Sequence, residues 1–125
     1  MNSCEKLRDL LEGPELLMAP GVADALNARL VAEANFKAIY MTGSGTTASK
    51  LGMPDIGLLS VSEMVDNASR IADASGLPLI SDADTGYGGP LNVHRTIRMF
   101  EKAGAAGVHI EDQNWPKRCG HLSGK

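Results

Sequence analysis

Short apolar runs alternate along the chain with stretches in which apolar residues recur every three or four positions. The short runs predict buried β-strands, and the periodic stretches predict amphipathic helices. The predicted strands are residues 16–22, 38–41, 77–81 and 108–110. The predicted helices begin at an N-cap Ser3, at Ala23, at a Ser60–Glu63 capping box and at an N-cap Asn92. A first helix is thus followed by strands and helices in alternation.

Two further stretches carry a definite expectation. The helix predicted over residues 23–34 rests on the helical spacing of Ala23, Leu26, Leu30 and Ala34. Residues 42–47, Thr-Gly-Ser-Gly-Thr-Thr, contain no apolar residue and two glycines, so we predict a flexible loop there. Its backbone N–H groups can bind a carboxylate or phosphate, but no Gly-Lys-Ser/Thr follows as in a P-loop.

The alternation of wholly apolar strands with helices is typical of a parallel sheet joined by helical crossovers. A doubly wound nucleotide-binding fold needs a G-x-G-x-x-G turn after its first strand, and residues 20–24, Pro-Gly-Val-Ala-Asp, do not supply one. A (β/α)8 barrel instead needs polar residues at the carboxyl ends of its strands. Three predicted strands end in this way, at Thr42 and Ser44, at Asp82 and Asp84, and at Glu111.

The barrel is therefore the predicted architecture. Because such barrels take about 250 residues, we predict an α/β fold in which residues 1–125 form the N-terminal half of a single TIM-type barrel domain, with about four βα units.

Composition excludes several classes of partner. The formal net charge of −3 gives no reason to expect nucleic acid or an anionic membrane. No apolar run approaches the ~20 residues that span a bilayer, and the N-terminal residues lack a signal-peptide core. We therefore predict a cytoplasmic protein in which Cys4 and Cys119 stay reduced.

Carboxylates at neighbouring strand ends predict a metal site. Asp82 and Asp84 are two residues apart, so an extended chain points both to the same side, and Glu111 follows the next strand. Hard oxygen ligands of this kind suit Mg²⁺, with Mn²⁺ as an alternative. The competing interpretation is structural, because Asp-Thr-Gly is also favourable turn chemistry.

The densest group of reactive side chains lies in the last residues of the chain. Lys117 and Arg118 precede Cys119, and His121 follows it two residues later. Nearby cations lower the pKa of a thiol, which suits Cys119 to proton transfer or nucleophilic attack. The alternative is an exposed basic turn with an incidental cysteine. We expect His109 to be a hydrogen-bonded interior imidazole and His94 to face solvent.

Several motifs in this order resemble one known superfamily. They are residues 40–45 (Tyr-Met-Thr-Gly-Ser-Gly), 51–55 (Leu-Gly-Met-Pro-Asp), 82–88 (Asp-Ala-Asp-Thr-Gly-Tyr-Gly), 109–113 (His-Ile-Glu-Asp-Gln) and 117–121 (Lys-Arg-Cys-Gly-His). From Pro20 onward the chain resembles the isocitrate lyase and phosphoenolpyruvate mutase superfamily, in particular its 2-methylisocitrate lyase-like branch. The mutases of that superfamily lack the cysteine of residues 117–121.

The resemblance implies roles for individual residues. The superfamily's magnesium ion would be held by Asp84, with Asp55, Asp82 and Glu111 acting mainly through metal-bound waters. Thr42, Gly43 and Ser44 correspond to a Ser-Gly-Gly segment that binds the keto-acid end of the substrate. Thr42 keeps the hydroxyl of that serine, whereas Ser44 replaces a glycine, which bears on the choice of substrate.

The signature segment, residues 117–121, corresponds to a lid in the superfamily. Cys119 would be the general acid, Lys117 and His121 would assist catalysis, and Arg118 would bind the anionic substrate. From its place in the second predicted strand, next to the polar strand end, Tyr40 is a candidate to help deprotonate the substrate's 2-hydroxyl group.

The implied activity is Mg²⁺-dependent carbon–carbon cleavage of a small 2-hydroxy di- or tricarboxylate, releasing a 2-keto acid such as pyruvate. The alternatives are an oxaloacetate decarboxylase-type enzyme, a phosphonate or phosphorylmutase-type enzyme, and a truncated, inactive half-barrel. The expected partners are the small carboxylate substrate and further copies of the chain, since members of the superfamily form homo-oligomers, commonly tetramers.

Overall fold

The computed structural model describes residues 1–124. Its strands are β1 (Gly21–Val22), β2 (Ile39–Met41), β3 (Leu79–Asp82) and β4 (Ala105–His109). Its helices are α1 (Ser3–Glu12), α2 (Ala25–Glu33), α3 (Gly43–Leu51), α4 (Val61–Ser75) and α5 (Pro90–Lys102). No helix within these residues is both long enough and apolar enough to cross a bilayer.

The strands form one parallel sheet in the order β1-β2-β3-β4. Each connection between neighbouring strands contains at least one helix: α2 after β1, α3 and α4 after β2, and α5 after β3. Sequential parallel strands joined by helices are the arrangement of one half of a (β/α)8 barrel. The predicted α/β class is therefore confirmed, and the carboxyl ends of the strands meet at one edge of the sheet.

The core lies between the sheet and the helices that cover it. Its buried apolar residues come from all four strands and from helices α2, α4 and α5, and the largest of them include Ile39, Met41, Ile71, Leu79 and Phe100. Burying side chains of this size stabilises the fold by about 1.5–3 kcal/mol each. This packing fixes the strand ends from which the polar residues project.

The structure corrects two predicted helix starts. The N-cap of α1 is Asn2 rather than Ser3, and Asn2 forms a reciprocal capping box with Glu5. The N-cap of α5 is Gly89, where Pro90 begins the helix and the Asn92 side chain accepts a hydrogen bond from the Gly89 N–H. Proline is favoured at the first helical position because it needs no amide partner there. The Ser60 capping box of α4 is confirmed.

Two predicted strands were wrong in extent, and helix α2 buries a different residue from the leucines that indicated it. The first strand covers only Gly21–Val22 rather than residues 16–22, and the fourth covers Ala105–His109 rather than residues 108–110. Leu26 and Leu30 do not point into the core, since they are 69% and 56% exposed, and α2 buries Ala28 instead. A small residue on the buried face allows the helix to lie close to its neighbours.

The predicted loop over residues 42–47 is the start of helix α3. Thr42 caps it by accepting a hydrogen bond from the Gly45 N–H, while the hydroxyls of Thr46 and Thr47 donate to the carbonyls of Thr42 and Gly43. Local side-chain bonds therefore stabilise a segment whose glycine content disfavours helix.

Candidate active site

Acidic side chains converge at the carboxyl edge of the sheet. Asp82 ends β3, Asp84 follows it after one residue, and Glu111 lies two residues beyond β4. One carboxylate oxygen from each of these three residues lies within 4.8 Å of the others. The parallel register, which pairs Asp82 with His109, brings the two strand ends level. The predicted gathering of these acids is thus present in the structure.

The ammonium group of Lys117 lies among the acids. Its Nζ is 2.8 Å from both carboxylate oxygens of Asp55, 3.1 Å from Asp84 Oδ1 and 3.6 Å from Glu111 Oε1. The residue is wholly buried. Burial lowers the pKa of Lys117, but the hydrogen bonds and charges of Asp55 and Asp84 outweigh that effect and hold the pKa above its usual range. Lys117 therefore stays charged and neutralises part of the acid group.

Backbone amides fix the Asp82 carboxylate. Its Oδ1 accepts a hydrogen bond from the Asp84 N–H at 2.9 Å, and its Oδ2 accepts one from the Gly43 N–H at 3.2 Å. Burial raises the pKa of both Asp82 and Asp84, with the Lys117 charge opposing the shift in each case. Burial disfavours the charged form of these carboxylates. A further cation bound beside them would stabilise that form.

The N-terminus of α3 lies against the Asp82 carboxylate. A Cβ at Gly43 would clash with that carboxylate, so glycine is required for this approach. The Gly43 N–H and the Thr42 hydroxyl, both predicted to bind substrate, already have partners within the protein. Ser44, the third residue of the predicted subsite, is exposed.

The signature segment lies against the loop that carries Asp55. The Cys119 N–H donates to the Asp55 carbonyl at 2.8 Å, close to the Lys117–Asp55 ion pair. Cys119 is a free, half-buried thiol, whereas Arg118 and His121 are exposed. The structure thus brings Lys117 directly to the acids, holds Cys119 next to them in the chain, and leaves Arg118 and His121 facing solvent.

Gln113 is a site residue that the sequence interpretation missed. Its side-chain amide donates to the Arg118 carbonyl at 2.9 Å, and its Oε1 accepts from the Arg118 N–H at 3.2 Å. The same amide contacts the Glu111 carboxylate. Glu111 and Gln113 are two residues apart, so their side chains point to the same side of an extended chain. That spacing was the available signal for a link between the acid group and the signature segment.

Tyr40 and His109 meet near the acids. The Tyr40 hydroxyl lies 3.3 Å from His109 Nδ1, and the ring centroids are 5.2 Å apart. Burial and the nearby carboxylates of Asp82 and Glu111 raise the pKa of Tyr40 to about 12. A phenol with that pKa stays protonated near neutral pH, which suits a hydrogen-bond donor better than the predicted base.

Two predictions about histidines have separate outcomes. His109 has the expected hydrogen-bond partner but is exposed, so the prediction of an interior imidazole was wrong. It lies on the last residue of β4, where the sheet meets solvent. His94 faces solvent on α5, as predicted.

The acid group fits a divalent cation. Asp82, Asp84 and Glu111 supply hard oxygen donors within reach of one ion. The Lys117 ammonium shows that the group accepts positive charge in a buried position. These residues are therefore the ones that would hold Mg²⁺ or Mn²⁺.

Comparison with known proteins places the chain in a family. A sequence model described as phosphoenolpyruvate phosphomutase matches residues 7–123. The chain belongs to the phosphoenolpyruvate phosphomutase family. This membership confirms the resemblance to the isocitrate lyase and phosphoenolpyruvate mutase superfamily that the motifs predicted.

Relatives within this family differ in their reactions. All 125 residues of this chain align with a 2,3-dimethylmalate lyase of Eubacterium barkeri at 50% identity, and the alignment covers 43% of that protein. It is 54% identical to an oxaloacetate acetylhydrolase solved with 3,3-difluorooxalacetate, with a TM-score of 0.94 over 98% of this chain and 42% of that one. A phosphonopyruvate hydrolase solved with oxalate and Mg²⁺ is 35% identical, with a TM-score of 0.89 over 94% of this chain and 41% of that one. The chain thus spans about two fifths of the length of these relatives.

Proposed function

We propose that residues 1–125 form the N-terminal half of a single barrel domain whose complete active site is that of a Mg²⁺-dependent carbon–carbon lyase. The substrate class is a small 2-hydroxy di- or tricarboxylate, of the kind represented by 2-methylisocitrate or 2,3-dimethylmalate. The products are a 2-keto acid and a second carboxylate. The observation that carries the proposal is the Lys117 ammonium buried among Asp55, Asp84 and Glu111, two residues before a free thiol.

A divalent cation bound by Asp82, Asp84 and Glu111 would supply a Lewis acid that favours loss of the proton from the substrate's 2-hydroxyl group, which becomes the carbonyl of the 2-keto acid when the carbon–carbon bond breaks. The chain's own residues would supply the remaining functions. Cys119 would donate its proton to the carbanion of the departing half, and the proton released from the 2-hydroxyl group would replace it on the thiol over the catalytic cycle, so that the protons balance. Lys117 keeps its charge in the buried site and lowers the electrostatic cost of an anionic substrate. Tyr40, protonated at neutral pH, would donate a hydrogen bond to a substrate oxygen.

The exposed residues of the signature segment are available to substrate. Arg118 is exposed next to the buried lysine, so its guanidinium can bind a carboxylate of an arriving ligand. Docking of the segment against the Asp55 loop would also help to exclude water from the reacting carbanion. We propose that assembly into a homo-oligomer accompanies this function and that the enzyme is cytoplasmic, as the sequence predicted.

A second candidate is hydrolytic cleavage of the carbon–carbon bond of oxaloacetate. Its support is the 54% identity and the TM-score of 0.94 to the oxaloacetate acetylhydrolase. The two reactions differ in substrate oxidation state. The lyase converts a 2-hydroxy acid into a 2-keto acid, whereas the hydrolase consumes a 2-keto acid and water.

The test is an assay of the protein with its complete barrel domain against a panel of 2-hydroxy dicarboxylates, with oxaloacetate as a separate substrate. We expect 2-keto acid to form with Mg²⁺ and not with EDTA. Cys119→Ser should lower the rate at least about 100-fold, since a positioned acid contributes about 10²–10⁴-fold. Cys4→Ser is the matched control, because Cys4 is exposed in α1. Oxaloacetate consumption without 2-keto acid release would favour the hydrolase, and equal rates for the two cysteine variants would remove Cys119 from the mechanism.

A further inference from the structure

Asp55 contacts the signature segment through two independent groups. Both of its carboxylate oxygens lie 2.8 Å from Lys117 Nζ, and its main-chain carbonyl accepts a hydrogen bond from the Cys119 N–H at 2.8 Å. Asp55 is itself buried, with a side chain 6% exposed. Asp55 therefore holds Lys117 through an ion pair and Cys119 through a backbone hydrogen bond.

The other three acids form a group of their own. Asp82, Asp84 and Glu111 bring their oxygens within 4.8 Å of one another, and this set does not include Asp55. The Lys117 ammonium lies between the two groups, close to Asp55 on one side and sharing Asp84 and Glu111 on the other. The cluster thus offers positions for two cations, one filled by the lysine and one defined by the three acids.

We propose that Asp55 is a positioning residue that anchors the signature segment through Lys117, and that it does not hold the divalent cation. This inference rests on the proposed function for the identity of the metal-binding acids. Lys117 and the metal ion then occupy the cluster together, because the ammonium offsets only one of the four carboxylate charges. The role of Asp55 is to keep Cys119 in place next to the acids.

Two readouts separate anchoring from metal binding, and neither is enzymatic activity. The first is Mn²⁺ affinity, measured by the electron paramagnetic resonance of the free ion. The second is the rate at which an aromatic disulfide modifies Cys119, in a Cys4→Ser background that leaves it as the single thiol. The variants are Asp55→Asn, Lys117→Met, their double variant and Asp84→Asn. Asp66→Asn is the control, since Asp66 pairs with Arg70 on the exposed surface of α4.

The double variant is the most informative, because it removes both partners of the Asp55–Lys117 ion pair together and changes no net charge. We expect it to bind Mn²⁺ within about threefold of the parent, whereas Asp84→Asn should weaken binding at least about tenfold. The disulfide should modify Cys119 at least about tenfold faster in Asp55→Asn, in Lys117→Met and in the double variant than in the parent. The rate in the double variant should not exceed that of the faster single variant, because the two residues act through one contact. Asp66→Asn should match the parent in both readouts.

Loss of Mn²⁺ affinity in the double variant equal to that in Asp84→Asn would overturn the inference, because Asp55 would then belong to the metal site. An unchanged rate of Cys119 modification would overturn it as well. Failure of the parent to bind Mn²⁺ would instead contradict the proposed function, and the thiol readout would still decide whether Asp55 anchors the segment.

Discussion

The Lys117 ammonium lies 2.8 Å from each carboxylate oxygen of Asp55, a residue 62 positions earlier in the chain. This ion pair closes the loop after β4 onto the loop that follows α3. Because both side chains are buried, water cannot solvate the charge that remains when one partner is removed.

Removing the lysine charge should destabilise the fold. Lys117→Met leaves Asp55, Asp84 and Glu111 without the cation that neutralises them. We expect the free energy of unfolding to fall by about 3–5 kcal/mol, the usual cost of breaking a buried ion pair. Urea denaturation followed by circular dichroism measures it. Lys50→Met, at an exposed position of α3, should change it by less than about 0.5 kcal/mol.

Gly43→Ala should disturb the acid group specifically. The new Cβ would clash with the Asp82 carboxylate, which accepts its hydrogen bond from the Gly43 N–H. We expect Mg²⁺ affinity, measured by calorimetric titration, to fall about tenfold or more, which corresponds to about 1.4 kcal/mol. Gly21→Ala is the control, since a Cβ at Gly21 meets no atom within 4 Å. Equal affinities in the two variants would contradict the close approach of α3 to Asp82.

The stability of the metal-free protein should depend on the two buried aspartates. Burial raises the pKa of Asp82 and Asp84, so the folded protein binds their protons more tightly than the unfolded chain does. Their contribution is fully present below the ordinary aspartate pKa and is lost as pH rises through the folded-state values. We expect Asp82→Asn to flatten this part of the curve of unfolding free energy against pH, measured with urea. Exposed Asp73→Asn should leave the curve unchanged.

Tyr40 should lose its proton at a higher pH than an ordinary tyrosine does. Its pKa is raised to about 12 by burial and by the charges of Asp82 and Glu111, compared with about 10 for an ordinary tyrosine. In a Tyr87→Phe variant Tyr40 is the remaining tyrosine, so the ultraviolet absorbance of its phenolate reports it alone. We expect a midpoint near 12 in the folded protein and near 10 in urea. The stabilisation is complete below about pH 10 and is lost as pH rises through 12. A folded midpoint near 10 would contradict the half-buried placement of Tyr40 beside these carboxylates.

The sequence was sufficient to predict the sheet and the acids at its edge. Mainly apolar runs followed directly by Asp82 or Glu111 identify strand ends, and parallel strands bring such ends together. Helix α3 could not be predicted in this way, because glycine and threonine disfavour helix in isolation. Its stabilising bonds come from Thr42, Thr46 and the distant Asp82.

The position of Lys117 was also beyond sequence analysis. A lysine in a polar segment beside arginine and histidine is normally exposed, because burying a charge without a partner is costly. Its main partner lies in another loop 62 residues away, and no local pattern links the two. The motif therefore led to roles for both Lys117 and Arg118, but it did not predict that Lys117 would be buried against Asp55.

The most direct test of the account is a crystal structure of the full chain with Mn²⁺, using the anomalous scattering of the ion to locate it. We predict one peak bounded by carboxylate oxygens of Asp82, Asp84 and Glu111, with Lys117 still paired to Asp55. A saturating concentration of Mn²⁺ that gives no peak there, or a peak in the place of the Lys117 ammonium, would contradict it.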